Sequence, residues 1–222
     1  MTKKITTLLF DFDYTLADSS SAVVKCANHA LVGLGFEPAS PYKIRRTIGL
    51  SIPDTFVALV GKQQRHKETE FRSLWRQLSD QIMVNETFML PDVVNALRML
   101  HRKGFKLGIA STKFRPRIEA ILLRESIGEL FDAIVGGNEV TRQKPYPDIL
   151  HKALKHLNRS PDESLYIGDS RTDALAASRA KISFIAVLSG VTTAYEFEAY
   201  KPLAIINTLK ELGQHIDLHR AM

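Results

Sequence analysis

Short apolar runs alternate with amphipathic stretches along most of this chain, and the two patterns predict strands and helices in turn. The first apolar run, Ile5 to Phe10, predicts a buried strand that ends abruptly at two carboxylates, Asp11 and Asp13. Ser19-Ser20-Ser21 then offer helix N-caps, and Val23, Val24, Ala27, Ala30, Leu31 and Leu34 recur at helical spacing as far as Gly33 or Gly35. Pro41 opens a short helix to about Thr47, Ile48-Gly49-Leu50-Ser51 reads as a turn, and Pro53 starts another helix. From Gln63 to about Val84 a polar stretch carries Phe71, Leu74, Trp75, Leu78 and Ile82 at helical spacing, with Trp75 expected to pack. No strand pattern is visible between Leu16 and Asn85. That stretch reads as a block of helices set into something else.

After Leu90 the pattern changes. Strands are predicted at Phe105 to Ala110, Ala133 to Val135, Leu165 to Ile167, Phe184 to Leu188 and, at an edge, Ala204 to Ile206. Helices are predicted from Pro91 to Gly104, Pro116 to Ser126, Pro147 to Leu157 and Ala174 to Ala180. Strands alternating with helices predict an α/β fold, a Rossmann-like parallel sheet with helices on both faces. Residues 1–17 and 86–222 are expected to form that core, and 18–85 a separate helical domain. Beyond Leu212 the tail is expected to fray.

Composition narrows the classes. The chain has 222 residues, 45% hydrophobic and 24% charged, enough for one large domain or a domain with an insertion. A net charge of +6 suits anionic small substrates. The basic residues are scattered and no nucleic-acid motif accompanies them, so nucleic acid is not an expected partner. Cys26 is the single cysteine, which excludes a disulfide framework and a thiolate metal site and leaves it a packing role. No run approaches a membrane span, and the basic start Met1-Thr2-Lys3-Lys4 leads into too short an apolar run for a signal peptide. The expectation is a cytoplasmic enzyme, a monomer or a weak homodimer.

In open parallel sheets the chemistry collects at the carboxyl ends of the strands. There the chain supplies Asp11, Asp13 and Thr15, then Ser111 and Thr112, then Lys144, then Asp169 and Asp173. Each has a bland reading: a surface lysine before Pro145, a serine or aspartate capping the next helix. Their arrival at the same rim is the signal. Side-chain alternation would put Asp11 and Asp13 on one side, where two like charges need a cation or a shared proton. Carboxylates are hard ligands that suit Mg²⁺, and a lysine with hydroxyls or backbone N–H groups would hold phosphoryl oxygens. No Ser-His, Cys-His or zinc set appears elsewhere, so the available nucleophile is a carboxylate. The pattern does not say which aspartate does which task.

These motifs resemble the haloacid dehalogenase superfamily of aspartyl-phosphate enzymes. Its Asp-x-Asp-x-Thr stands as Asp11-Phe12-Asp13-Tyr14-Thr15, its strand-ending hydroxyl as Ser111, its lysine before proline as Lys144-Pro145, and its Gly-Asp-x-x-x-Asp as Gly168-Asp169-Ser170-Arg171-Thr172-Asp173. All four occur in family order, and the helical block lies where the family inserts a helical cap. Leu16-Ala17-Asp18-Ser19, Gly136-Gly137-Asn138-Glu139 and Lys144-Pro145-Tyr146-Pro147-Asp148 look like the phosphoglycolate phosphatase branch. The resemblance implies a phosphatase acting on a small phosphorylated metabolite, with Asp11 as nucleophile and Asp13 as general acid and base. It implies Mg²⁺ on the Asp11 and Asp169 carboxylates and the Asp13 carbonyl, with Asp173 orienting Lys144 or a metal-bound water. Ser111, Thr112 and Lys144 would hold the phosphoryl group, and Thr15, in the same substrate set, would steady Asp13. Inorganic pyrophosphate, or a phosphosugar mutase reaction, stays open. A dehalogenase reading is disfavoured because halide displacement needs neither Asp13 nor magnesium. A receiver-like phospho-acceptor lacks use for a second aspartate and a lid.

Three positions depart from the family pattern. Tyr14 stands where this branch usually has glycine, and a ring there would narrow the mouth of the site or pack on the cap. Thr112 replaces a frequent asparagine. Lys181 replaces the glycine that usually follows the fourth-motif helix, which suggests a different helix end. The loop Ile48 to Ser51 is the first candidate for reading the substrate. Arg45, Arg46 and Lys62 could reach a second anionic group, but a solvated surface role is the expectation for each.

Overall fold

The structure, a computed structural model, describes residues 4–220. In chain order the strands are β1 (Thr7–Phe10), β2 (Ala17–Asp18), β3 (Phe88–Met89), β4 (Lys106–Ser111), β5 (Ala133–Gly136), β6 (Ser164–Gly168), β7 (Ser183–Val187) and β8 (Ala204–Ile206). The helices are α1 (Ser20–Gly33), α2 (Pro41–Arg45), α3 (Ile52–Val60), α4 (Glu68–Ile82), α5 (Val93–Arg102), α6 (Arg115–Arg124), α7 (Asp148–Leu157), α8 (Arg171–Ala180), α9 (Ala194–Glu198) and α10 (Leu212–Arg220). Six strands form one parallel sheet in the order β5-β4-β1-β6-β7-β8. β1 is buried at every position and takes the centre, with Phe10 opposite both Ile109 and Ile167.

Alternation along these strands builds two cores. Leu8 and Phe10 face one side with Leu107, Ile109, Leu165 and Ile167, against Leu97 and Leu100 of α5 and Ile118 and Ile121 of α6. Leu9 faces the other with Ala110, Val135 and Tyr166, against Ile149 and Leu150 of α7 and Ala174 and Ala177 of α8. Each of the larger apolar side chains here, leucine, isoleucine, valine or phenylalanine, contributes about 1.5–3 kcal/mol by leaving water. Helices α1 to α4 carry a third, separate cluster around Cys26, Leu31, Ile44, Phe56, Phe71 and Trp75, with Phe56 and Phe71 stacked at 4.7 Å. Cys26 packs there as expected, and burial pushes its thiol up to about 12. Ser40 and Ser51 start α2 and α3 by accepting from Lys43 N and Asp54 N, each with a proline in the first turn.

The structure corrects several expectations. The stretch from Leu16 to Asn85 is not free of strand: β2 pairs antiparallel with β3, Ala17 opposite Met89, and Leu90 N donates to Leu16 O at 3.0 Å. Two residues are too few to show a period, which is why the ribbon is invisible in the pattern. The two crossings between sheet and helical block are therefore tied to each other. The polar stretch after Gly61 is first a 3₁₀ turn over Lys62–Lys67, and α4 starts only at Glu68, where Glu68 and Glu70 suit the positive helix end. The short helix α9 went unforeseen; Thr193 caps it and it buries Phe197. The tail is not frayed, because α10 sets Leu212 and Ile216 into the first core.

Lys181 gives α8 the usual end rather than a different one. It sits at φ 58°, ψ 36°, the left-handed cap that glycine adopts without strain. A side chain there costs about 1 kcal/mol. Lys181→Gly is expected to raise the unfolding free energy by about 0.5–1 kcal/mol in urea denaturation, after the entropy glycine adds to the unfolded chain. An unchanged or lowered midpoint would contradict the strain.

Candidate active site

Asp11 is the first residue past the central strand, and its N–H donates to Ile167 O at 2.9 Å, so β6 holds the backbone beneath it. The chain then coils instead of staying extended. Leu16 N and Ala17 N both donate to Phe12 O, at 2.9 and 3.0 Å, and Tyr14 N donates to Ala17 O at 2.7 Å. This turn needs φ 61° at Tyr14, which accounts for the family's glycine there. The Tyr14 ring is buried, burial raises the pKa of its phenol, and the hydroxyl faces Ser20 at the start of α1. It packs towards the helical block, one of the two expectations for it, and Ser189 Oγ donates to its carbonyl.

Ser111 closes β4, Lys144 follows β5 with a cis peptide to Pro145, Asp169 follows β6, and Asp173 lies in the first turn of α8. All four are buried. The Lys144 ammonium lies 2.8 Å from Asp11 Oδ1 and 2.5 Å from Asp173 Oδ1. It also donates to the Tyr166 hydroxyl at 3.1 Å. That hydroxyl lies 2.8 Å from Asp173 Oδ1 and 3.0 Å from Ala110 O, so its one proton serves one of them at a time. Asp173 Oδ2 accepts from Ser170 N at 3.0 Å and from Ser170 Oγ. Both Asp173 oxygens thus have donors, Oδ1 from Lys144 and Oδ2 from Ser170. Burial would lower the lysine's pKa, but Asp11 and Asp173 outweigh burial and raise it.

The acidic groups fit a cation. Ligand atoms of Asp11, Asp169 and Asp173 lie within 4.8 Å of one another. Asp11 Oδ1 is buried and ion-paired with the Lys144 ammonium, off the line of an ideal hydrogen bond. Burial lifts the Asp11 pKa to about 6 against the opposing pull of Lys144. Burial, then the charges of Asp173 and Asp11, lift Asp169 well above the carboxylate range. A buried set of carboxylates that repels itself in this way is chemically suited to a hard divalent ion. Room for Asp169 is made by Gly190, where any Cβ would overlap Asp169 Oδ2; at Gly168 a Cβ would stand 2.6 Å from the Asp173 side chain.

One expectation for the first motif fails. Thr15 does not steady Asp13: its hydroxyl donates to Asp169 Oδ1 at 3.3 Å, because the coil turns it back under the sheet rim. Asp11 and Asp13 stand in different charge environments, in keeping with separate tasks for the two carboxylates. Asp13 Oδ1 accepts from Ser19 Oγ at 2.6 Å and from Lys113 Nζ at 2.8 Å. Both partners were missed in the sequence. Ser19 reads there as a helix cap, but its side chain makes no cap hydrogen bond. Lys113 lies two residues beyond Ser111 on a buried strand end, a placement that marks it retrospectively.

A cavity of about 70 Å³ lies between this rim and the helical block. Asp13, Thr112, Lys113 and Arg117 line its floor, and Thr47, Ile48, Gly49, Leu50 and Trp75 its roof. The candidate specificity loop therefore does reach the rim, with Gly49 against Ser170 and Thr172. Trp75, expected only to pack, also forms a wall. A wider groove of about 400 Å³ continues past Thr112 to Lys144 and Tyr146. Arg46 is neither a ligand for this space nor free: it donates to Glu196 at 3.0 Å and to Val191 O at 3.3 Å, bridging block and core. Arg117 makes a second bridge, to Ser79 and Asp80. Arg45 and Lys62 are exposed.

Comparison with known proteins gives one family. Residues 8–187 match the family model described as haloacid dehalogenase-like hydrolase. A protein named Pyrophosphatase PpaX from Bacillus cereus (strain B4264) is 30% identical over 210 residues, 94% of this chain and 95% of that one. Among solved structures, a haloacid dehalogenase-like hydrolase from Bacteroides fragilis is 42% identical with a TM-score of 0.91, covering 94% of this chain and 100% of the other. A predicted phosphoglycolate phosphatase from Haemophilus somnus, 22% identical with a TM-score of 0.84 over 96% of this chain and 99% of its own, shares the fold.

The raised pKa values have a thermodynamic consequence. A carboxyl whose folded pKa exceeds its unfolded one binds more protons when folded, so the metal-free protein loses stability as pH rises from about 4 to about 6. A divalent ion reverses that loss only where Asp11 and Asp169 ionise. Mg²⁺ at about 100 times its dissociation constant is expected to add about 2.7 kcal/mol, raising the melting temperature by about 5–10 °C at pH 7.5 and far less at pH 5. Asp169→Asn should remove the response. An equal shift at both pH values, or one retained in the variant, would contradict the site.

Proposed function

The chain belongs to the haloacid dehalogenase-like hydrolase family, and from that premise we propose that it is a Mg²⁺-dependent phosphatase that cleaves a small, phosphoglycolate-like phosphate monoester by way of a phosphate carried on Asp11. The observation that carries this reading is the buried Asp11–Lys144–Asp173 array with Asp169 beside it. A buried carboxylate at the end of the central strand, ion-paired with a fixed ammonium, is a nucleophile in a site built for phosphoryl charge.

In the first step an Asp11 carboxylate oxygen bonds to phosphorus and the bond from phosphorus to the leaving oxygen breaks. Asp13 gives that oxygen a proton. In the second step water attacks the phosphorus, passes a proton to Asp13, and the bond to Asp11 breaks to release inorganic phosphate. Ser111, the Thr112 backbone and Lys144 hold the phosphoryl oxygens. A magnesium ion on Asp11, Asp169 and the Asp13 carbonyl would neutralise charge on the transferring group. Residues 18–85 act as a cap over the core of 1–17 and 86–222, hinged at the β2–β3 ribbon and excluding water when closed. Thr15 supports Asp169 instead of Asp13.

A second reading, cleavage of inorganic pyrophosphate, draws support from the name of the Bacillus relatives and uses the same residues, with phosphate as the leaving group. Phosphate release from a panel holding phosphoglycolate, pyrophosphate and sugar phosphates tests both. Release is expected with Mg²⁺, lost with excess chelator, and reduced at least about 1,000-fold in Asp11→Asn. Activity undiminished in that variant would overturn the nucleophile, and full activity in chelator would overturn the metal.

A further inference from the structure

Lys113 is the charged group in the rim that the phosphatase chemistry leaves without a task. Its side chain is 4% exposed, yet it belongs to no motif. Its backbone is fixed where β4 ends, with its N–H on Ser111 Oγ at 3.3 Å. Its ammonium stands 5.7 Å from the centre of the Phe12 ring and 2.8 Å from Asp13 Oδ1. An ammonium has three N–H donors, and Asp13 is the one oxygen that receives Lys113 among the described residues. The other donors face the cavity that Lys113 lines.

The cavity's own composition defines what it accepts. Val23, Ile52, Trp75 and Met83 supply apolar walls, and Thr47 and Thr55 add hydroxyls. The other cation there, Arg117, is spent on Ser79 and Asp80. At about 70 Å³ the space matches roughly five water molecules. A two-carbon hydroxy acid or an inorganic phosphate is small enough to sit beside Lys113 there. The cavity lies on the Asp13 side of the rim, where the leaving group must go if Asp13 protonates it.

Resting on the phosphatase reading above, we propose that Lys113 is a specificity-determining residue: it binds a negative charge on the leaving group and selects small substrates that carry a second anion there. A carboxylate or a second phosphate would take the donors that Asp13 leaves free. An uncharged leaving group would leave a nearly buried ammonium facing apolar walls with one partner, which is unfavourable. A phosphoglycolate-like ester and pyrophosphate both carry such a second anion.

The test compares phosphoglycolate with its uncharged amide, which has the same shape and a similarly basic leaving oxygen, and adds pyrophosphate as a second charged substrate. The wild-type protein is expected to favour phosphoglycolate, pyrophosphate or both over the amide by about 10- to 100-fold in kcat/KM, the worth of a hydrogen bond to a charged group. Lys113→Met should erase that preference, chiefly by raising KM for the charged substrates, and Lys113→Arg should restore part of it. If Lys113→Met lowers all substrates by one common factor, the lysine only positions Asp13 and the proposal is wrong. A wild-type protein without preference for the charged leaving group would refute it too. Failure of the underlying reading looks different: no phosphate is then released from any substrate by the wild-type protein.

Discussion

One buried contact orders the rest of this molecule: the Lys144 ammonium between the carboxylates of Asp11 and Asp173. None of the three groups tolerates burial alone, since an unpaired ion in the interior costs several kcal/mol. Together they satisfy one another, with the ammonium 2.8 Å from Asp11 Oδ1 and 2.5 Å from Asp173 Oδ1. The packing around them follows from that need. Tyr166 and Ser170 take up the remaining donors and acceptors, and Gly168 lets Asp173 come close enough to reach the lysine.

The sheet brings these groups together from neighbouring positions at one edge of its strands, with Lys144 reaching in by the loop after β5, one strand beyond β4. β1 lies between β4 and β6, so the residues that follow the three strands share one rim. The apolar run that buries β1 thereby fixes Asp11 in the middle. Above it, helices α1 to α4 are joined to the sheet by the paired β2–β3 ribbon and by the Arg46–Glu196 and Arg117–Asp80 bridges. These bridges are exposed on at least one side and individually weak, each on the order of 0–1 kcal/mol. Such weak contacts are compatible with the cap movement proposed above.

Much of this was legible in the residues. The alternation of strands and helices and the order of the four motifs placed the sheet and its acidic rim, because long periodic segments and strand ends leave clear marks. What stayed hidden was short or relational. Ala17–Asp18 is too brief for a pattern, α10 looked like a polar tail until Leu212 and Ile216 met the core, and Lys181 kept a glycine's conformation without being glycine. The partners of Asp13 were hidden for another reason. Ser19 and Lys113 lie in different elements, and only the coil at Tyr14 brings the Asp13 carboxylate to both. That same coil turns Thr15 towards Asp169, a direction no spacing rule contains.

On this account Asp11 bonds to phosphorus, and every other group in the rim serves that bond. The direct test is chemical trapping: protein turning over phosphoglycolate or pyrophosphate with Mg²⁺ is quenched with borohydride, which reduces an acyl phosphate to the alcohol, and peptides are read by mass spectrometry. The account predicts homoserine at position 11 in the substrate-treated sample and unmodified aspartate at 13, 169 and 173. Steady phosphate release with aspartate intact at position 11, or reduction at one of the other three, would contradict it.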